Sequence, residues 1–301
     1  MKKYLFELIF YCSLLFLVIS LIKSDYLRIP VVKNYNYLII SMLFLFSGFL
    51  GNAFAWQQTL KSNEIKLPIH QAIISQGLSI FAKYIPGKLW VVLGRASYVS
   101  KIRTISKVKT SILSFNAQLI TLWTGIFIGS LAFLEDSFNN SHFYLFIVTL
   151  MVWIAMTLFL FFPKLQKFIL ELGGRIFNKK FSITVISFNN VVKILPYFIL
   201  YWLCWVFGFF FLAASLTNEL PSIAIGLYFA FAASMGIIAI ITPGGLGVRE
   251  GILVTLIMTC TYSIETATTI AATSRLWFLL GEIFIFVIAL LLKFYKSTNK
   301  V

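Results

Sequence analysis

The sequence predicts an all-α, polytopic membrane protein with about eight transmembrane helices. Hydrophobic residues make up 60% of the 301 residues and charged residues only 12%, whereas roughly a quarter of an ordinary soluble protein is charged. Apolar runs of about 20 residues, the length at which a helix crosses the hydrocarbon layer, recur along the chain. Basic residues are concentrated between these runs.

The candidate spans are spread over the whole chain, and no long polar stretch separates them, so residues 1–301 are predicted to form a single membrane domain. They cover residues 4–22, 37–56, 112–134, 143–162, 191–216, 222–241, 251–262 and 268–292. The first run resembles a signal peptide, but its length and the lack of a small-residue cleavage site favour an uncleaved helix. The seventh is too short to span alone, so it is extended by the glycine-rich stretch before it or is a half-helix.

The distribution of charge predicts the orientation. With the N-terminus inside, 21 of the 25 Lys and Arg residues fall on the inner side, as the positive-inside rule requires. We therefore expect a cell (inner or plasma) membrane protein with both termini in the cytoplasm. The net charge of +15 does not indicate nucleic-acid binding, because the basic residues form no separable domain.

Residues 57–110 form a basic segment between the second and third spans. Apolar residues recur at helical spacing up to Ile85, where Pro86 and Gly87 break the helix, and a second short apolar piece leads to Arg95. This pattern predicts a helical hairpin that either re-enters the membrane or lies on its surface. The re-entrant arrangement is the preferred interpretation.

A second break lies at 242–251, where a proline and four glycines precede and surround Arg249 and Glu250. Irregular backbone at membrane depth is tolerated only if it is buried in protein or lines a cavity, and free N–H groups at a helix start attract anions such as a lipid phosphate. A plain glycine-rich cytoplasmic turn is the alternative. The two Pro-Gly breaks, each followed by an arginine, suggest related halves that meet at a substrate site.

Arg275 and Glu282 lie within the last span, seven residues apart on one face and too distant to pair directly. Ionisable residues inside a membrane usually mark function, although each could instead pair with another helix for structure. The two histidines and three cysteines show no metal-ligand spacing. No catalytic residue, metal or cofactor is therefore predicted.

Three motifs resemble the lysylphosphatidylglycerol synthase transmembrane family, also called flippase-like. They are YIPGK at 84–88 with Gly94 and Arg95, PGGLGVREG at 243–251, and SRL at 274–276 with Gly281. The resemblance implies a polytopic protein linked to lipid flipping or to lipid-linked glycans. Because the chain ends soon after its last span, the soluble aminoacyltransferase domain of some members is expected to be absent.

These observations favour a flippase-like protein, not itself an enzyme, that translocates or presents an anionic phospholipid or lipid-linked saccharide for cell-envelope assembly. An integral membrane enzyme or enzyme partner in polysaccharide or lipid modification, and a non-transporting scaffold, are the alternatives. Membrane lipids are the expected partners, with envelope glycosyltransferases as further candidates. Residues assigned to the lipid headgroup are Lys83, Lys88, Arg95, Arg249, Glu250, Arg275 and Glu282. Residues assigned to the helix breaks are Pro86, Gly87, Pro243, Gly244, Gly245 and Gly247.

Overall fold

The computed structural model describes residues 31–85, 89–134, 140–162, 187–239, 242–245 and 247–298. Within these residues the chain forms nine α-helices and no strand, which confirms the all-α prediction. The helices are α1 (Tyr35–Lys61), α2 (Ile69–Ser79), α3 (Leu89–Arg103), α4 (Lys107–Ser130), α5 (Asn140–Phe161), α6 (Phe188–Thr217), α7 (Ile223–Ile238), α8 (Val248–Thr259) and α9 (Ile264–Thr298). The predicted span 4–22 and residues 86–88 lie outside the described residues.

Five helical segments in the described part of the chain are long and apolar enough to cross a membrane, in α1, α4, α5, α6 and α9. They correspond to five of the predicted spans. Helix α7 has only 16 residues, about 24 Å at 1.5 Å per residue, and is shorter than the predicted span 222–241. Helix α8 has 12 residues and begins at Val248, three residues before the predicted start, because the glycine break ends at Gly247.

The ends of the helices follow from local capping. The Asn34 side chain accepts hydrogen bonds from the backbone N–H groups of Asn36 and Tyr37, at 3.1 and 3.3 Å, and so starts α1. Ser222 caps α7 in the same way through the N–H of Ala224, at 3.0 Å. Helix α6 ends at Asn218, which takes the left-handed conformation (φ 65°) that asparagine tolerates.

Helices α1 and α6 run antiparallel and share the most extensive helix–helix contact. The start of α1 meets the end of α6, where the backbone N–H of Lys33 donates to the carbonyl of Ser215 at 2.9 Å. In the interior of the pair, the Ser41 hydroxyl donates to the carbonyl of Gly208 at 2.7 Å. One end of the bundle therefore holds the beginning of α1 and the end of α6, and the opposite end holds the end of α1.

Two broken hairpins enter the bundle from these opposite ends. The first hairpin consists of α2, the 3-10 turn Ile80–Tyr84 and α3, and it follows the end of α1. The second hairpin consists of α7, the 3-10 turn Pro243–Gly245 and α8, and it follows the end of α6. The two turns contact each other inside the bundle, and Ile85 beside them is 1% exposed. The helical hairpin expected within 57–110 is thus present, and its depth in a bilayer stays a prediction.

Candidate functional site

Five ionisable side chains meet where the two hairpins contact α9. They form the charge cluster Lys83, Arg249, Glu250, Arg275 and Glu282. Four of the five side chains are almost fully buried, and only that of Lys83 keeps a substantial exposed fraction, 23%. Because charges at such positions are costly, each is expected to have a partner or water nearby.

Glu250 supplies a negative charge at the start of α8. Its Oε2 accepts a hydrogen bond from the backbone N–H of Gly247 at 2.9 Å, which caps the helix. Its Oε1 lies 3.2 Å from Nη2 of Arg249 and 3.8 Å from Nη1 of Arg275. The position at which the sequence predicts a lipid phosphate, beside the first N–H groups of α8, therefore holds the protein's own carboxylate.

Arg249 is enclosed by aromatic rings. Its guanidinium carbon lies 5.6 Å from the ring centre of Phe229 and 5.5 Å from that of Phe278, distances at which a cation is attracted to the ring face. Its Nη2 reaches the Ser274 hydroxyl at 3.5 Å. Its buried Nε donates no hydrogen bond to any described residue, so Arg249 retains donor capacity.

Glu282 is held entirely by the turn Ile80–Tyr84. One carboxylate oxygen forms an ion pair with the ammonium of Lys83. The other accepts a hydrogen bond from the Tyr84 hydroxyl at 2.8 Å. The Lys83 ammonium also lies 5.1 Å from the ring centre of Phe278, so this ring contacts both Lys83 and Arg249.

The turn Pro243–Gly245 fits only because its residues lack side chains. Gly244 and Gly245 have positive φ angles of 61° and 71°, which glycine adopts readily. A Cβ on Gly244 would lie 2.6 Å from the Tyr84 ring, and one on Gly245 would lie 2.9 Å from the backbone of Gly236. Arg275 donates from Nη1 to the carbonyl of Gly244 at 3.2 Å, which ties the turn to α9.

Arg95 is held by a different set of residues in α1, α2 and α4. It donates to the hydroxyl and the carbonyl of Ser114, at 3.0 and 2.8 Å, and to the side-chain oxygen of Gln76 at 3.0 Å. Its guanidinium also lies 4.3 Å from the ring centre of Trp56. These partners are neutral, and none of them belongs to the charge cluster. A role for Arg95 in headgroup binding stays a prediction.

The structure therefore groups five of the seven predicted headgroup residues, separates Arg95 from them, and does not describe Lys88. Arg275 and Glu282 each pair across to another element, as their seven-residue spacing requires. Sequence reasoning did not assign Tyr84 or Phe278 to the site. The signal for Tyr84 was its place directly before the first break, whereas a phenylalanine in an apolar span carries no comparable signal.

Comparison with known proteins agrees with this architecture. The family model for the lysylphosphatidylglycerol synthase TM region matches residues 5–290, nearly the whole chain. No curated protein and no solved structure matches the chain. With its membrane-spanning helices, the chain is a multi-pass membrane protein and belongs to the family of the lysylphosphatidylglycerol synthase transmembrane region.

Proposed function

We propose that this protein is a flippase-like transporter that translocates or presents an anionic phospholipid or a lipid-linked saccharide for cell-envelope assembly. The observation that carries the proposal is the buried pair Arg249 and Arg275 at the contact between two helix breaks. The proposed setting is the cell membrane with both termini in the cytoplasm, as the charge distribution predicts.

The chemistry of the cluster suits a phosphate. Arginine presents a planar fork of donors that matches phosphate oxygens, and Arg249 keeps an unused Nε donor among the described residues. Lys83 adds a third positive charge, with part of its side chain exposed. In the absence of a lipid, Glu250 shares the two arginines as an internal counter-charge. An incoming phosphate would compete with this carboxylate for the same donors.

The arrangement of the hairpins suits movement across a membrane. Transporters place their sites where interrupted segments from opposite sides meet, because broken backbone supplies polar groups without facing lipid. Here the first and second hairpins enter from opposite ends and touch at Tyr84 and Gly244. A shift of either hairpin would open the cluster toward one side while the other hairpin still closes the opposite side.

The test is lipid translocation by the purified protein in liposomes, with an anionic phospholipid and a lipid-linked saccharide assayed separately. We expect Arg249→Ala and Arg275→Ala to abolish movement, and Arg249→Lys to retain part of it. Arg103→Ala is the matched control, because Arg103 is an exposed arginine in the last turn of α3.

Each variant is checked for monodispersity and thermal unfolding, so that loss of transport is separated from loss of fold. Normal translocation by well-folded alanine variants of both arginines would remove them from the site. A folded wild-type protein that moves none of the lipids would overturn the transport function itself.

A further inference from the structure

The carboxylate of Glu282 depends on a single short segment for both of its partners. Lys83 and Tyr84 are adjacent residues of the 3-10 turn Ile80–Tyr84, and they engage its two oxygens. Glu282 is 1% exposed and lies in the candidate span Ile264–Tyr295. Any movement that carries the turn away from α9 removes both partners together.

The other elements packed against α9 offer no replacement. Helix α8 brings Arg249 and Glu250, which pair with each other, and Arg275 on α9 itself pairs with Glu250. Helices α1, α2 and α6 also contact α9. Among the described residues, none of these three helices places an ionisable side chain in contact with Glu282. The surroundings are aromatic and aliphatic, with Phe49 packed on Phe278 one turn away.

The turn itself is a segment that can change conformation at low cost. A 3-10 helix has poorer hydrogen-bond geometry than an α-helix, and such segments often mark hinges. Here it joins the end of α2 to Ile85, whose backbone is extended. It also carries Tyr84, the residue that touches the second break at Gly244. Displacement of the turn therefore changes both the contact between hairpins and the environment of Glu282.

A carboxylate left without partners in apolar surroundings cannot stay charged without a large cost, and the usual outcome is neutralisation by a proton. We propose that Glu282 is a proton-binding site, and that release of the turn Ile80–Tyr84 is coupled to uptake of one proton from water. The proton adds to a carboxylate oxygen and forms the neutral acid. Lys83 keeps its own proton and leaves as an ammonium ion, which can then serve as a cation for the lipid phosphate.

This inference rests on the proposed function only for what the movement serves, since the proton site is defined by Glu282 and its two partners. A proton gradient would then supply energy for lipid movement. Return of the turn would expel the proton, because the ammonium of Lys83 and the Tyr84 hydroxyl both favour the ionised carboxylate.

The first experiment needs no lipid transport. Infrared spectroscopy of the purified protein distinguishes the C=O band of a neutral carboxylic acid from the carboxylate band. We expect Lys83→Gln to show a neutral-acid band at neutral pH that is missing from the wild type and lost again in Lys83→Gln with Glu282→Gln. A folded Lys83→Gln variant without this band would overturn the proposal.

The second experiment uses liposomes in sodium-free buffer, an imposed pH gradient and an internal pH dye. We expect wild-type lipid movement to respond to the gradient and to carry protons, whereas Glu282→Gln moves lipid without either effect. Glu265→Gln is the matched control, because Glu265 is an exposed glutamate in the first turn of the same helix. Coupling retained by Glu282→Gln, or coupling to sodium in place of protons, would overturn the proposal.

The two experiments separate the two ideas. If the wild-type protein moves no lipid but the infrared band behaves as expected, the transport function fails and the proton site stands. If lipid moves but neither the band nor the gradient dependence is observed, the transport function stands and the proton site fails. The infrared and gradient results on the wild type need no substitution in the cluster, so poor folding of one variant does not decide the outcome.

Discussion

The ring of Tyr84 lies directly against Gly244, so that a Cβ added to the glycine would be 2.6 Å from the ring. The two residues are 160 positions apart in sequence and belong to hairpins that enter from opposite ends of the bundle. Their contact is the place where the two helix breaks become one site. The cluster of charged residues on α8, α9 and the first turn surrounds it.

We expect Gly244→Ala to destabilise the protein and to impair transport. A non-glycine residue at φ 61° costs roughly 1–3 kcal/mol, and the methyl group also meets Tyr84. The measurement is the thermal unfolding midpoint in detergent together with lipid translocation. Gly251→Ala is the matched control, because a Cβ there meets nothing within 4 Å and the position is helical. A Gly244→Ala protein as stable as Gly251→Ala would contradict the close contact.

We expect Glu250→Gln to lower stability by roughly 3–5 kcal/mol, the usual effect of removing one partner from a buried ion pair. The substitution takes the nearest negative charge from Arg249, 3.2 Å away, and uncaps α8. Unfolding of the purified variant measures the change, with Glu219→Gln as control since Glu219 is exposed. Equal midpoints for the two variants would show that the arginines do not depend on Glu250.

We expect Arg95→Lys to destabilise the protein by about 2 kcal/mol or more, because hydrogen bonds to charged groups contribute roughly 1.5–3 kcal/mol each. Lysine cannot reproduce the fork that reaches Ser114 and Gln76 together. Arg103→Lys, on the exposed face of the same helix, is the control. In the folded fraction, lipid movement should persist. A stable variant that has lost transport would instead place Arg95 in the headgroup site.

We expect cysteines introduced at Lys33 and Asn218 to react with an impermeant thiol reagent added outside intact cells, and cysteines at Lys61 and Lys101 to be protected. The charge distribution predicts these sides, and the hydrogen bond between Lys33 and Ser215 requires that the first two positions share a side. The background lacks the native cysteines at 12, 204 and 260. External labelling at Lys61 would overturn the predicted orientation.

The sequence alone determined the membrane class, the positions of five described spans and both helix breaks. These features are local: hydropathy is read from about 20 consecutive residues, and a proline or glycine acts on its own turn of backbone. The presence of Arg275 and Glu282 within the last span was equally visible. So was their inability to pair with each other, since seven residues separate them along one helix.

Only the tertiary structure decided which charges meet. Lys83 and Glu282 are 199 residues apart, and Glu250 reaches Arg275 from another helix. Arg95, which the sequence grouped with these residues, lies among neutral partners because its position within α3 directs it toward Ser114 and Gln76. Such pairings depend on how the hairpins dock against α9, at glycines such as Gly244 that admit a neighbouring ring. The periodicity of a single segment carries no information about the segment that packs against it.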